Sequence, residues 1–387
     1  MPLRILIIFL ILLALPGCKP TGNDQDRSSA ASKSARDWPV FRSDTGLRGA
    51  TTASLPENLS LLWSFKTERA VKSSPVIVSN TVYVGSNDGK LYALTLDSGS
   101  NVWQFDAGDE VEAPPLYHDG IIYAGSANGN LYALDAHAGT QLWTFATGNR
   151  IVGSANWAPA PDTVRGLILV GSYDNTMYCL DAHAGTQVWT YTTGNYINGA
   201  PAIADGRAVF GGCDAKVHVI STLNGSLLGE IPLDSYIAGS AAVDGSKAYV
   251  GHYGNALVCV DLQTFSVDWQ YSDPENSAPF FSSPALSDTC VIAGSRDYRV
   301  HCVDRVTGKK VWTVQTKGDV DSSPVICGDS VFAASCDGRL YRISLAKGTV
   351  VWTYEIGGTI TASPAVASGM LVIGAEDGRV YAFGREQ

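Results

Sequence analysis

Ala133-Leu-Asp-Ala-His-Ala-Gly139-Thr-Gln-Leu-Trp143 decides the fold, because the chain repeats it. Cys179-Leu-Asp-Ala-His-Ala-Gly185-Thr-Gln-Val-Trp189 is a near copy, and Cys302-Val-Asp-Arg-Val-Thr-Gly308-Lys-Lys-Val-Trp312 is a third. Each ends a short strand in an Asp-led turn, passes a glycine and enters a strand carrying Trp. A fixed period of this kind outranks any local propensity.

Tryptophan recurs at 63, 103, 143, 189, 269, 312 and 352, so the long gap after 189 hides a unit whose Trp position falls on Gly229. Two further markers keep the same step. Gly85, Gly125, Gly171, Gly211, Gly251 and Gly294 each stand 18 residues before a Trp position. A Pro or small residue follows most Trp positions by 12, at Pro75, Pro115, Ala155, Pro201, Ala241, Pro324 and Pro364; Pro284 follows by 15. The markers agree on eight repeats of about 40 residues, with insertions of six within 156–170 and three within 273–282. Within a unit, runs such as Thr81-Val-Tyr-Val and Asn101-Val-Trp-Gln-Phe alternate with Asn87-Asp88-Gly89-type turns, giving four short strands.

Four strands per unit is the spacing of a propeller blade, with a solenoid as the rival. The termini decide between them. The first unit owns a leading Trp63 strand that no earlier unit claims, and the last stops at Val380-Tyr-Ala-Phe without its Trp strand. The expectation is an all-β, eight-bladed propeller of four-stranded antiparallel blades over 61–387, closed by the Trp63 strand.

The N-terminus reads as an export signal over 1–17, with Arg4, an apolar run from Ile5 to Leu15, and Leu15-Pro-Gly-Cys18, which resembles a bacterial lipobox. That resemblance implies a lipid on Cys18; a plain cleaved signal is the other possibility. Lys19 follows the cysteine in place of the Asp that resembles an inner-membrane retention signal, which favours the outer membrane. Residues 18–37 carry little to bury and read as a disordered tether. The lead-in 38–60 holds an apolar island, Trp38-Pro-Val-Phe-Arg42, expected to pack on the outside or bottom face. The formal charge of −10, with no Lys/Arg stripe, excludes a nucleic-acid partner.

Trp63, Trp103, Trp143, Trp189, Trp269, Trp312 and Trp352 are expected to dock structurally, each lying across a glycine of an adjoining blade. Burial of one indole is worth ~4–6 kcal/mol as an upper figure. Ala-x-Asp-x-x-x-Gly-x-x-x-Trp, matched in full by 133–143, resembles the tryptophan-docking motif of the pyrroloquinoline-quinone-like propeller repeat family. Other units match in part: Thr95 stands for Asp in the first, Phe265 for Gly in the fifth, and Ser221 and Gly229 weaken the fourth. The resemblance implies the propeller over the repeat region. It also implies a choice between quinone-dependent dehydrogenases and non-catalytic lipoproteins that assist outer-membrane protein assembly.

For the dehydrogenases, the resemblance implies adjacent cysteines, a Ca²⁺ held by acidic and amide side chains, and a catalytic Asp. No two of the eight cysteines are adjacent, and Asp88, Asp174, Asp214, Asp297, Asp337 and Asp377 recur at one repeat position, which is turn chemistry. The six histidines are spread along the repeats without metal-ligand spacing. No catalytic, metal or cofactor residue is therefore expected, with pyrroloquinoline quinone and Ca²⁺ kept as the alternative. For binding, the loops after each Trp strand open on one face of a propeller. Val71, Val111, Ile151, Ile197, Ile237, Phe280, Val320 and Ile360 occupy a core position there. Departures from the repeat mark a candidate partner-binding face of Arg150, Trp157, Tyr196, Tyr236, Phe280 and Phe281. The plainer reading is that Trp157, Phe280 and Phe281 plug the channel mouth. The expected protein is a monomeric, non-catalytic scaffold of the cell envelope, lipid-anchored at Cys18 and binding envelope proteins or peptides. The alternative is a quinone-dependent oxidoreductase or a ligand-binding propeller.

Overall fold

In the computed structural model, which describes residues 37–160 and 166–386, every regular element is a strand and none is a helix. The leader, Cys18 and the tether up to residue 36 lie outside the described residues, as does part of the six-residue insertion. Eight antiparallel sheets form the ring. Blade 1 shows the plan, with Val76–Val78 innermost, then Thr81–Gly85, Lys90–Thr95 and Asn101–Asp106 outermost. Burial falls outward: the inner strand is wholly buried, and the outermost alternates between half-buried and exposed residues. That gradient is the mark of sheets packed face to face around an axis.

The ring closes as expected. Ser60–Lys66 pairs antiparallel with Arg379–Gly384, placing Trp63 opposite Ala382, and completes blade 8 beside Ala365–Ala367 and Met370–Ala375.

Each indole docks forward onto the next blade. Trp143 Nε1–H donates to the Ala182 carbonyl (3.1 Å), and a Cβ added to Gly185 would sit 2.5 Å from the ring. Trp63, Trp103, Trp189, Trp269 and Trp312 donate likewise to Leu96, Ala136, Thr222, Arg305 and Leu345. Trp352 packs edge-on against Phe383 of the last blade (5.9 Å). The docking glycine sits at φ 66° in Gly185, so a side chain there meets both backbone strain and the indole. The motif aspartate holds the turn: Asp135 Oδ1 accepts from His137 and Ala138 N–H.

The weakest unit contains an exchange between two positions. Gly229 stands where blade 4 lacks its Trp, and Phe265 stands where blade 5 lacks its docking glycine. A Cβ on Gly229 would lie 2.3 Å from the Phe265 ring, which therefore fills the space an indole would take. Phe265 holds φ at 53° to do so, a conformation costly for an aromatic residue. Aromatic contact between the blades survives with the ring donated from the opposite side.

The lead-in takes the bottom face, one of its two expected places: it threads the end of the ring axis away from the blade-connecting loops. Its backbone visits the inner strands in turn. Trp38 bridges Ile77, Pro39 O accepts from Tyr117, Thr45 O from Ile203, Gly46 O from Val243, Arg48 O from Leu286 and Gly49 O from Ile326. Ala50–Thr51 then pairs in parallel with Val325–Cys327 as a fifth strand of blade 7. Trp38, Val40, Arg42 and Leu47 are buried. Arg42 donates to the carbonyls of Pro324 (2.5 Å) and Pro284 (2.9 Å), and burial pushes its guanidinium down to about 9. A period-based reading is blind to the path of this segment, because its contacts pass from blade to blade without a repeating residue pattern.

Two stability tests follow from these contacts. Deleting residues 376–387 strips the Ser60–Lys66 strand of its only partner in blade 8, and we expect the melting midpoint to fall by more than about 10 °C or cooperativity to vanish in calorimetry. A truncated chain melting like the parent would refute closure by that strand. Gly229→Trp alone should clash with Phe265 and destabilise, whereas Gly229→Trp with Phe265→Gly recreates the ordinary docking pair. Urea unfolding of the full cycle should give a favourable coupling of about 1–3 kcal/mol; additive effects would deny the exchange.

Candidate functional site: the funnel at one end of the ring axis

The blade-connecting loops surround a funnel of about 430 Å³ whose floor includes Phe41 of the lead-in. The apolar position that precedes the funnel lining in every blade is core: Val71, Val111, Ile197, Ile237, Val320 and Ile360 are fully buried, Ile151 and Phe280 nearly so. Lys72, Glu112, Asn198, Phe281, Asp321 and Thr361, each one residue later, turn into the funnel.

Two aromatic–arginine clusters stand on this side. On blades 3 and 4, Tyr173 and Tyr196 stack in parallel (4.9 Å, 4°), with Arg150 over the Tyr173 ring (5.3 Å). On blades 5 and 6, Tyr236 stacks on Tyr253 (4.2 Å), Phe281 meets Tyr253 edge-on, and Arg296 lies over Phe281 (4.5 Å). Arg296 is itself fixed by a two-pronged bond to Asp321 (2.8 and 2.9 Å), which raises its pKa. Tyr196 and Tyr236 remain 46% and 44% exposed, so large aromatic faces point to solvent where the fold does not require them.

Of the six candidates, Arg150, Tyr236 and Phe281 line the funnel, and Tyr196 flanks it through Tyr173. Two are placed elsewhere. Phe280 is 2% exposed and packs against Tyr271 and His301, because it takes the core position that valine or isoleucine holds in the other blades. Trp157 lies in an inner strand rather than a top loop. Its side chain belongs to the opposite end of the ring, stacked on His118 (4.3 Å) beside a second cavity of about 530 Å³ walled by the lead-in. Neither residue plugs the funnel; Phe41 supplies its floor. Sequence reasoning missed Tyr173, Tyr253 and Arg296, which sit one strand further along at the tip of the second hairpin. Their signal was present, since that tip carries Asn87, Ala127, Cys213 and Cys336 in other blades.

The recurrent aspartates act within their own turns. Asp88 Oδ1 accepts from Lys90 N–H while Oδ2 accepts from Tyr92 (2.7 Å), and Asp174–Tyr178 and Asp337–Tyr341 repeat the arrangement. His218 and His301 replace that tyrosine and bond Asp214 and Asp297 at 3.0 Å. Among the described residues, the one group of three ligand-type side chains within 4.8 Å is Asp273, Asp297 and His301, which is not part of the funnel lining. Inside the funnel, Glu112 pairs with Lys72 (3.1 Å) and Asp321 with Arg296. Its two lining carboxylates are thus each paired with a cation, and the buried, unpartnered amide oxygen of Asn198 falls short of the six to eight oxygens a calcium ion takes, so the lining does not fit a calcium-held quinone. The seven described cysteines are free, with burial pushing the Cys259 and Cys336 thiols up to about 11.

His252 is a further departure. It is fully buried, its Nδ1 accepts from Gly254 N–H (3.0 Å), and its Nε2 has no partner. Burial lowers its pKa.

Fold and funnel define a tryptophan-docked, eight-bladed propeller with an aromatic, mixed-charge funnel at one end of its axis. The family model described as outer membrane protein assembly factor BamB matches at residues 52–160, 92–314 and 296–387, and the chain belongs to that family. Among solved structures it is similar to BamB from Moraxella catarrhalis (21% identity, 85% of this chain and 98% of that one, TM-score 0.71). It is also similar to quinohemoprotein alcohol dehydrogenase from Comamonas testosteroni (14%, 94% and 83%, 0.78) and to a europium-containing methanol dehydrogenase (14%, 93% and 100%, 0.76). At these identities the likeness is one of fold. No curated protein matches by sequence.

The His252 geometry carries a pH prediction. With its folded pKa depressed, the imidazole takes up fewer protons folded than unfolded just below its ordinary value of 6.5, so stability falls as pH drops through that window. His118, also lowered mainly by burial, adds the same sign. The melting midpoint should fall between pH 7 and pH 5, with a shallower slope in His252→Gln; an unchanged slope would contradict it.

Proposed function

We propose that this chain is a non-catalytic cell-envelope lipoprotein, held to the outer membrane by a lipid on Cys18, that assists outer-membrane protein assembly by gripping a partner protein on its funnel face. The observation that carries this reading is the exposed pair Tyr196 and Tyr236, each stacked on a second tyrosine and flanked by an arginine. Rigid aromatics backed by arginine bury much area at small entropic cost, the usual anchor of a protein interface. Family membership supports the assembly role. A quinone-dependent oxidoreductase draws support from fold likeness, while the paired carboxylates of the funnel weigh against it.

The test is genetic and biochemical together. Deleting the gene in the source bacterium should lower the abundance of outer-membrane β-barrel proteins, and the wild-type gene should restore it. Tyr196→Ala with Tyr236→Ala should restore less than about half, as expected for loss of two interface anchors, while its melting midpoint stays within about 2 °C. Cys18→Ala should release the protein from the membrane fraction. Full restoration by the tyrosine variant, or a saturable quinone spectrum requiring Ca²⁺, would overturn the scaffold reading.

A further inference from the structure

Beneath the aromatic rim, the funnel floor carries an arc of hydroxyls with a separate use. Ser74, Ser240, Ser283, Ser323 and Ser363 stand just ahead of the inner strands of blades 1, 5, 6, 7 and 8, and all five line the cavity. Each accepts the backbone N–H of the equivalent residue one blade earlier. Ala200 donates to Ser240 (2.8 Å), Ser240 to Ser283 (2.9 Å), Ser283 to Ser323 (3.0 Å), Ser323 to Ser363 (3.0 Å) and Ser363 to Ser74 (2.8 Å). All five are at least nine-tenths buried. An oxygen that accepts still carries a proton to donate, and among the described residues none of these protons meets a protein acceptor. Five O–H donors therefore border one small cavity.

The charges add to this. Lys72 is neutralised by Glu112 and Arg296 by Asp321. Glu110 and Glu376 act on Lys72 without lining the funnel. Two cations remain without a carboxylate in contact. Arg150 is at the rim, and Arg42 bonds the carbonyls of Pro284 and Pro324, the residues directly after Ser283 and Ser323. Arg42 is 1% exposed and its Nε has no partner. An arc of inward donors centred on blade 7, with a guanidinium in no ion pair at blades 6 and 7, favours negative charge.

We propose that the funnel floor binds the oxyanion group, carboxylate or phosphate, of a small molecule. The cavity volume lies in the range of small-ligand sites. This site goes beyond the scaffold reading and is testable without a partner. Inorganic phosphate and succinate are each titrated calorimetrically into the purified full chain at low salt. Saturable binding of at least one is expected; phosphate alone assigns a phosphate ligand, succinate alone a carboxylate, and both an oxyanion site of broad scope. Ser323→Ala with Ser363→Ala should weaken binding about five- to tenfold, as for loss of two hydrogen bonds. Alanine occupies this position in blade 4 as Ala200, so the variant is compatible with the ring; should the pair unfold, Ser363→Ala alone serves, with a smaller loss. Arg150→Gln should reduce both affinity and its salt dependence. Absence of binding with Kd below about 10 mM for either anion, or affinity unchanged in the serine and arginine variants, would overturn the proposal.

Discussion

An indole laid on a glycine one blade ahead is the contact on which this molecule depends. A blade's own hydrogen bonds end at its outermost strand, and nothing in a four-stranded sheet obliges it to meet its neighbour at a fixed angle. The docked ring supplies that obligation, because Trp143 must reach both Gly185 and the Ala182 carbonyl at once. Repeated around the axis, the same reach sets the pitch of the blades. The Gly229–Phe265 exchange shows how narrow the requirement is. The ring's donor and acceptor positions have swapped, a strained φ has been accepted, and aromatic contact between the blades is kept.

The fold was legible because its information is periodic. Trp, Gly and Pro markers in step identify eight blades even where one loses its tryptophan, and the unmatched Trp63 strand announces closure. The recurrent aspartates were likewise readable as turn residues, since Asp88, Asp174 and Asp337 serve the same hairpin tip. What escaped is aperiodic. The lead-in has no internal repeat, and its path is dictated by partners spread from Ile77 to Cys327. Trp157 and Phe280 looked alike as departures from consensus, yet one sits on an inner strand at the far end of the axis and the other fills the core. Identity alone does not tell a departure that faces solvent from one that repacks a core.

The funnel draws its character from both kinds of information. Its walls are repeat positions, so their backbone is fixed by the ring. Its floor is Phe41, contributed by the lead-in. The periodic part builds the cup and the unique part closes its base, leaving chemistry to the positions that neither constrains: tyrosines and arginines at the rim and serines lower down. Specific contacts mounted on rigid elements in this way keep their geometry without depending on flexible loops.

The lead-in also bears on how such a chain reaches its final state. Residues 38–51 come early in the polypeptide, yet the carbonyls of Thr45, Gly46 and Gly49 find their donors at Ile203, Val243 and Ile326. The Ser60–Lys66 strand waits longer still, for Arg379–Gly384. Emerging N-terminus first, the segment must stay extended and unsatisfied while nearly the whole chain appears behind it. Loop-closure entropy and slow, non-local pairing then place the last step of maturation at the lead-in. An unfinished ring of this kind presents Trp38, Val40 and Leu47 as loose apolar groups, so the lead-in is where a folding helper or a quality-control protease would first distinguish an incomplete molecule from a finished one.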